Sequence, residues 1–188
     1  MKNHLKDYLV LFIIAGLIVF FDQWTKSLVR ANLGFRDYWS PFEWLTPYAR
    51  IVHWKNTGAA FGMFQSFGGV FTILAIIVSI VILYYYPQVP RNDWPLRLAM
   101  GMQLGGALGN LIDRLTQGGT VTDFISIGNF AVFNIADASI SVGVVVLLIG
   151  MWIKERQGPS SPVETTAAEK DQGDEGASPP LPEEIKSE

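Results

Sequence analysis

The stretch FGGVFTILAIIVSIVILYYY, residues 67–86, contains no charged side chain. Crossing about 30 Å of hydrocarbon takes about 20 helical residues, and this stretch has that length. It ends in Tyr84, Tyr85 and Tyr86, followed by Pro87, which together resemble an interfacial aromatic belt and a helix stop. The sequence therefore predicts a transmembrane helix here, and with it a membrane protein.

Three further apolar segments predict helices at about 8–26, 96–113 and 134–153. The composition agrees, because 49% of the 188 residues are hydrophobic, only 16% are charged and the mean hydropathy is +0.27. Lys2 and Lys6 precede the first segment as in a signal peptide, but no small-residue cleavage pattern follows it, so we expect it to stay attached. We predict an all-α integral membrane protein with four transmembrane helices.

Four crossings place both termini on one side of the membrane, together with the short loop 87–95. Residues 27–66 and 114–133 then lie on the other side. Within 27–66, the β-prone run Arg50 to Trp54 predicts a small, partly β-structured element on the membrane surface. Lys and Arg near the spans number six on each side, so the positive-inside rule leaves the orientation open.

Residues 157–188 differ from the rest of the chain. They hold eight acidic residues against two lysines, for a net charge of −6, and five of the ten prolines, but no aromatic residue. Such a segment buries too little apolar surface to fold, so we predict a disordered acidic tail after a membrane domain of residues 1–156.

Composition also excludes several functions. The chain has no cysteine, and its two histidines, His4 and His53, are too few for a multi-histidine metal site. The absence of a basic stripe argues against a nucleic-acid partner.

Four acidic residues map to the same membrane face, at helix ends or in the last loop: Asp22, Asp113, Asp123 and Asp137. Ionisable groups at membrane depth cost about 2.5–3.5 kcal/mol each, so a cluster of them suggests a functional site. Each has a simpler explanation as well. Asp22 with Lys26 reads equally as an exposed i,i+4 ion pair, and Asp113 as part of a helix-end polar network with Asn110. Asp123 could be a turn or capping carboxylate.

Asp137 opens the fourth helix, where a carboxylate meets the helix dipole and Asn134 could be the cap. The loop between the third and fourth helices is short enough to bring Asp123 close to Asp137. Two carboxyl groups sharing a site hold one proton between them, which suits aspartic proteolysis. Ser126 and Ser139 lie nearby, but no histidine or buried lysine on this face is an obvious base for them.

Glycines 101, 105 and 109 recur at every fourth position of the third helix and give a flat face. Plain helix packing is the favoured interpretation of this face, and an inserted substrate is the alternative. The small-residue run NTGAAFG at 56–62 could bring backbone close to a ligand, or could simply be a tight turn.

The chain resembles the lipoprotein signal peptidases, the type II signal peptidases of bacteria, over about residues 8–156. The matching stretches, in the family's order and spacing, are FDQWTK at 21–26, NTGAAFG at 56–62, GGALGNLIDR at 105–114, VTDF at 121–124 and FNIAD at 133–137. The acidic tail lies outside the resemblance.

This resemblance implies an intramembrane aspartic endopeptidase that cleaves diacylglyceryl-modified prolipoproteins just before the lipidated cysteine. It implies catalytic roles for Asp123 and Asp137, without metal or cofactor. The implied supporting or substrate-binding positions are Asp22, Asn56, Gly58, Asn110, Asp113, Arg114, Asn134 and Ala136. It also implies a protein of the bacterial inner membrane, among membrane lipids, with cytoplasmic termini, a site toward the outer leaflet and a small extracytoplasmic β-cradle between helices 1 and 2. We expect the protein to be a monomer.

Two other classes of protein remain open. A transporter or proton-relay subunit would use intramembrane acids as a path, but it predicts acids spread through the membrane depth rather than gathered at one end. An adaptor that displays the acidic tail to a partner is compatible with either interpretation.

Overall fold

The computed structural model describes residues 4–58 and 68–156. The predicted disordered tail lies outside these residues, as do positions 59–62 of the small-residue run. Four helices dominate: α1 (His4–Asn32), α2 (Gly68–Tyr85), α3 (Trp94–Thr116) and α4 (Ile135–Arg156). Three strands are β1 (Tyr38–Trp39), β2 (Ala49–Asn56) and β3 (Val121–Ile127), and short 3-10 turns cover Glu43–Leu45 and Tyr86–Gln88.

Two of the helices are long and apolar enough to cross a membrane. The segment Gly68–Gln88 has a mean hydropathy of 2.4, and Ile135–Arg156 reaches 2.0. Helices α1 and α3 are more polar because they carry charged residues such as Asp22, Lys26 and Asp113, and these three side chains are fully buried. The outer surface of α1 is apolar nonetheless, with Leu9 and Phe20 each 60% exposed. Exposed apolar surface of this extent is typical of a protein that lies in lipid.

Helix α3 lies against the other three helices, and its glycines allow the close approach. A Cβ atom at Gly101 would lie 2.8 Å from Ile14 Cγ2, and one at Gly105 would lie 2.8 Å from Ile18 Cβ. The glycine face is therefore occupied by α1, which confirms helix packing and leaves no room there for a substrate.

The strands form an antiparallel sheet in the order β1-β2-β3. Arg50 is opposite Ser126 and Trp54 is opposite Asp123, with a bulge between Ile51 and Trp54. The sheet is thus not made only by the segment between the first two helices, as the prediction of the cradle had it. Its third strand, β3, comes from the segment between α3 and α4. This β-prone run at 121–127 forms hydrogen bonds with the edge of β2 that does not pair with β1, and so leaves that edge covered.

The end of the bundle opposite the sheet is held by ion pairs. Asp7 accepts hydrogen bonds from Arg91 Nε at 2.9 Å and from Arg97 Nη2 at 3.0 Å, and Asp93 pairs with Lys154 at 2.6 Å. These contacts join α1 and α4 to the start of α3, so the two ends of the bundle are chemically different.

Candidate active site

The four acids predicted to converge do lie at one end of the bundle, where the sheet meets the helices. Asp22 and Asp113 are fully buried and Asp123 is 1% exposed, whereas Asp137 is half-buried. Asp123 lies inside β3 rather than in a turn, so its interpretation as a turn or capping carboxylate is wrong. Asp123 and Asp137 both border a cavity of about 660 Å³ that is otherwise mostly apolar.

Asn134 connects these two aspartates. Its Nδ2 donates to Asp123 Oδ1 at 2.6 Å, and its backbone N–H donates to Asp137 Oδ2 at 3.2 Å. Its Oδ1 accepts from the backbone N–H of Asp137 at 3.0 Å. This reciprocal pairing is a capping box, which confirms the predicted cap and fixes where α4 begins.

Two more amide side chains orient the carboxylates. Asn110 Nδ2 donates to Asp137 Oδ1 at 2.8 Å, and Asn56 Nδ2 donates to Asp123 Oδ2 at 3.0 Å. Asn56 Oδ1 in turn accepts from the backbone N–H of Gly58 at 2.9 Å. Each aspartate is therefore held in a fixed direction by neutral donors, which leaves its charge available for chemistry.

The other two aspartates hold the segments that carry the first pair. Asp22 Oδ1 accepts from the backbone N–H of Ala136 at 2.9 Å, in the first turn of α4. Asp113 Oδ2 accepts from the backbone N–H of Thr122 at 2.8 Å, in β3. Each bond involves the residue just before one of the cavity-facing aspartates, so Asp22 and Asp113 position Asp137 and Asp123 through the backbone.

Lys26 is one residue of this network that the sequence interpretation missed, and Gln23, whose Nε2 donates to Asp113 Oδ1 at 3.2 Å, is another. The Lys26 side chain is fully buried, and its Nζ lies 2.8 Å from Asp22 Oδ2 and 3.4 Å from Asp113 Oδ2. The ion pair with Asp22 does form, but it is buried, so of the two interpretations of Asp22 the exposed pair is wrong. Nζ also donates to Asn110 Oδ1 at 3.0 Å. The only sequence signal was the i,i+4 spacing from Asp22, which does not reveal partners on another helix.

The buried lysine also bears on the alternative serine chemistry. Lys26 Nζ is engaged by Asp22, Asp113 and Asn110, and among the described residues no hydrogen bond joins it to Ser126 or Ser139. Ser139 Oγ donates to the Ala136 carbonyl at 2.7 Å instead of pointing at a base.

Arg114 and Gly58, two more of the predicted site residues, line the cavity. The Arg114 guanidinium lies 5.7 Å from the centre of the Phe71 ring on α2. Ala136 is fully buried and contributes its backbone N–H, as described above. All ten predicted site residues therefore lie in or beside one network.

The electrostatics distinguish Asp123 from an ordinary carboxyl group. Burial first, and the negative charge of Asp137 second, raise the pKa of Asp123 from 3.8 to about 7. Hydrogen bonds from Asn56 and Asn134 oppose this shift in pKa without cancelling it. At neutral pH the site can therefore keep one exchangeable proton beside a second carboxyl group at a water-accessible cavity, which is the requirement for acid-base chemistry.

The chain is similar in sequence and in fold to bacterial membrane enzymes. The family described as signal peptidase (SPase) II matches residues 14–153. A lipoprotein signal peptidase of Acinetobacter baylyi is 40% identical over 152 residues, covering 75% of this chain and 80% of the relative. A lipoprotein signal peptidase of Halalkalibacterium halodurans is 35% identical over 153 residues, covering 79% and 96%.

Solved structures agree with the sequence relatives. A bacterial membrane enzyme determined at 2.3 Å has a TM-score of 0.73 and 29% identity, covering 82% of this chain and 94% of that one. A second, at 1.9 Å, has a TM-score of 0.66 and 31% identity, covering 75% and 91%. The chain belongs to the signal peptidase II family, and is thus a membrane protease of lipoprotein processing.

Proposed function

We propose that the chain is an aspartic endopeptidase in which Asp123 and Asp137 are the catalytic pair. The observation that carries the proposal is that these two side chains border one cavity and are bridged by Asn134. The raised pKa of Asp123 adds to it, because an aspartic mechanism needs one proton on the pair at working pH.

In the proposed reaction the ionised aspartate takes a proton from a water molecule, and the water oxygen attacks the scissile carbonyl carbon. The protonated aspartate gives its proton to the carbonyl oxygen. When the tetrahedral gem-diol intermediate collapses, one of its hydroxyl groups returns a proton to the aspartate that gave one, and the C–N bond breaks. The proton taken from water goes to the leaving amine. The pair then returns to its starting state with one proton.

The remaining predicted residues have supporting roles in this proposal. Asn56, Asn110 and Asn134 orient the carboxylates, while Asp22 and Asp113 hold the segments that carry them. Ala136 supplies the N–H that Asp22 binds, and Gly58 and Arg114 line the cavity where substrate enters.

The proposed cleavage point is the bond just before the diacylglyceryl-modified cysteine of a prolipoprotein. An apolar cavity wall, including Phe71, Leu74 and Val142 from α2 and α4, suits acyl chains that approach from the lipid. The carboxyl pair at the end of the helices would then meet the peptide near the headgroup level, where water is present.

We further propose that all four helices cross the bacterial inner membrane and that the chain acts as a monomer. The apolar outer surface of α1 and the inward placement of the charges on α1 and α3 support this topology. Both termini would be cytoplasmic, and the sheet and the carboxyl pair would lie at the outer leaflet.

The test is cleavage of a diacylglyceryl-modified prolipoprotein by purified Asp123→Asn and Asp137→Asn variants. We expect each to lose at least about 10²-fold in rate, because removing a general acid or base costs this much. The matched control is Asp93→Asn, whose carboxylate pairs with Lys154 at the other end of the bundle and should not matter. A catalytic-pair variant that cuts at the wild-type rate contradicts the assignment.

A further inference from the structure

The sheet carries a second, smaller pocket that the proteolytic chemistry does not use. Its volume is about 260 Å³, and its lining includes Arg36, Arg50, Tyr38, Trp54 and Ser126. We propose that this pocket binds the phosphate headgroup of an anionic phospholipid, and so seats the sheet on the membrane surface.

The two arginines lack acidic partners in the described part of the chain. Neither guanidinium is within ion-pair distance of a carboxylate across residues 4–58 and 68–156, although Asp37 and Glu43 are nearby in sequence. Two guanidinium groups on one small pocket form a strong positive field. Arginine binds phosphate oxygens through two parallel N–H donors, so a phosphate is the ligand that this pair fits best.

Aromatic rings hold both arginines in place. The Arg36 guanidinium lies 5.7 Å from the centre of the Trp54 ring, and the Arg50 guanidinium lies 5.4 Å from that of Tyr38. Because Trp54 and Tyr38 also line the pocket, the stacking keeps both cations beside it. A ligand that binds there therefore meets donors whose side-chain freedom is already reduced.

The backbone at Arg36 gives a further reason to assign a role to its side chain. Its φ is 71°, and among the described residues it is the sole non-glycine residue with positive φ. Its N–H donates to the His53 carbonyl at 2.9 Å, and the next residue closes a turn on Gly34. Glycine would adopt this conformation at lower free energy, so an arginine here is retained at some cost to the backbone.

A lipid headgroup fits better than free phosphate because of what surrounds the pocket. The same small sheet and its 3-10 turn expose large aromatic side chains, with Trp39 56%, Phe42 57%, Trp44 68% and Tyr48 68% exposed. Exposed Trp and Tyr beside cations are characteristic of surfaces that lie at the headgroup level of a membrane.

The test uses the full chain in detergent, titrated with short-chain phosphatidylglycerol or phosphatidylcholine and monitored by native mass spectrometry. We expect phosphatidylglycerol to be retained in preference to phosphatidylcholine. We expect the double variant Arg36→Gln/Arg50→Gln to weaken phosphatidylglycerol binding by about tenfold or more, since it removes the charge-assisted hydrogen bonds to the phosphate. The control is Lys55→Gln, which removes a positive charge from β2, the strand that carries Arg50, but not from the pocket lining. Equal loss in the control and in the double variant overturns the pocket assignment.

A second variant guards against a folding artefact. Arg36→Gly should keep or raise the Tm because it relieves the backbone, and yet should lose phosphatidylglycerol binding. Retained binding in this variant contradicts the proposal. Two further outcomes also overturn the proposal. The first is that inorganic phosphate binds as tightly as the lipid. The second is that the double variant keeps lipid binding but cleaves acidic substrates more slowly, which would assign the pocket to the substrate peptide.

Discussion

Asn134 shows how much one side chain contributes to this site. Its amide group donates to Asp123, and its carbonyl oxygen caps the helix that carries Asp137. Sequence reasoning could predict the cap, since Asn three residues before Asp at a helix start is a known pattern. It could not predict the contact with Asp123, because that contact depends on how β3 and α4 lie in space.

The cap and the amide contact can be separated by substitution. Asn134→Ser and Asn134→Asp both keep a capping oxygen, but both lose the donor to Asp123. We expect cleavage about tenfold slower or worse in each, with little loss of stability for the serine variant. The aspartate variant adds a negative charge that raises the pKa of Asp123 further. The cleavage rate of this variant should therefore begin to fall at a higher pH than that of wild type. Wild-type cleavage rates in both variants would show that the amide contact has no role.

Asp123 also predicts the pH dependence of activity. Its pKa of about 7 means that the carboxyl pair loses its shared proton as the pH rises through this value. We therefore expect the cleavage rate to fall above about pH 7, measured as kcat/KM on a lipidated substrate. A rate that stays constant from pH 6 to pH 9 would contradict this.

Stability should depend on the same proton. The folded protein binds it with a pKa of about 7, and the unfolded chain with an ordinary pKa of 3.8. The contribution of Asp123 to the free energy of unfolding is thus largest below about pH 3.8 and is lost as the pH rises to about 7. Asp123→Asn avoids this loss, so its gain in Tm over wild type should be larger at pH 8 than at pH 5. Asp93→Asn should show no such difference.

At the scale of elements, the packing of α1 on α3 was easier to predict than the ion pairs between them. The glycine spacing pointed to close helix packing, and Gly101 and Gly105 do face α1. The charges were harder, because Lys26 has partners on α3 that are more than 80 residues away in sequence. The i,i+4 spacing considers only the two side chains on α1. Without the partners on α3, it predicts that Asp22 and Lys26 pair at the surface.

The glycine contact predicts a position-dependent effect of alanine. At Gly105 a Cβ would lie 2.8 Å from Ile18 Cβ and 3.0 Å from the Ala15 carbonyl oxygen, whereas at Gly16 nothing lies within 4 Å. We expect Gly105→Ala to lower the Tm by several degrees, since overpacking costs about 1–3 kcal/mol. Gly16→Ala should leave it unchanged or raise it, because alanine favours helix. Equal effects at both positions would contradict the packing account.

At the scale of the whole molecule, hydropathy predicted the order of the helices, and the structure has all four in sequence. Their ends differ most where charges occur: α1 extends to Asn32 rather than ending near residue 26, because Lys26 and Arg30 turn inward to Asp113. The sheet was predicted in part. Strand β2 contains the predicted run Arg50 to Trp54, but its pairing with β3 required knowledge of the fold.

Deleting the tail tests whether residues 1–156 form the whole of the proteolytic domain. The family match ends at residue 153, and the network of predicted site residues lies between Asp22 and Asp137. We expect deletion of residues 157–188 to leave the cleavage rate of a lipidated substrate within about twofold of wild type. The matched control is the same deletion in Asp123→Asn, which should remain inactive. A large loss of rate in the deletion alone would assign the tail a part in proteolysis.

The bond between Asp22 and the backbone of Ala136 joins residues 114 positions apart. A ribosome makes Asp22 early and Ala136 late, so a growing chain has the anchor long before it has the helix to be anchored. Asp123 and Asp137 themselves arrive after α3 has been synthesised. On the proposed catalytic assignment, a chain that has not yet made Asp137 lacks half of the catalytic pair, and we expect it to cut nothing until α4 is complete and its first turn is bound by Asp22.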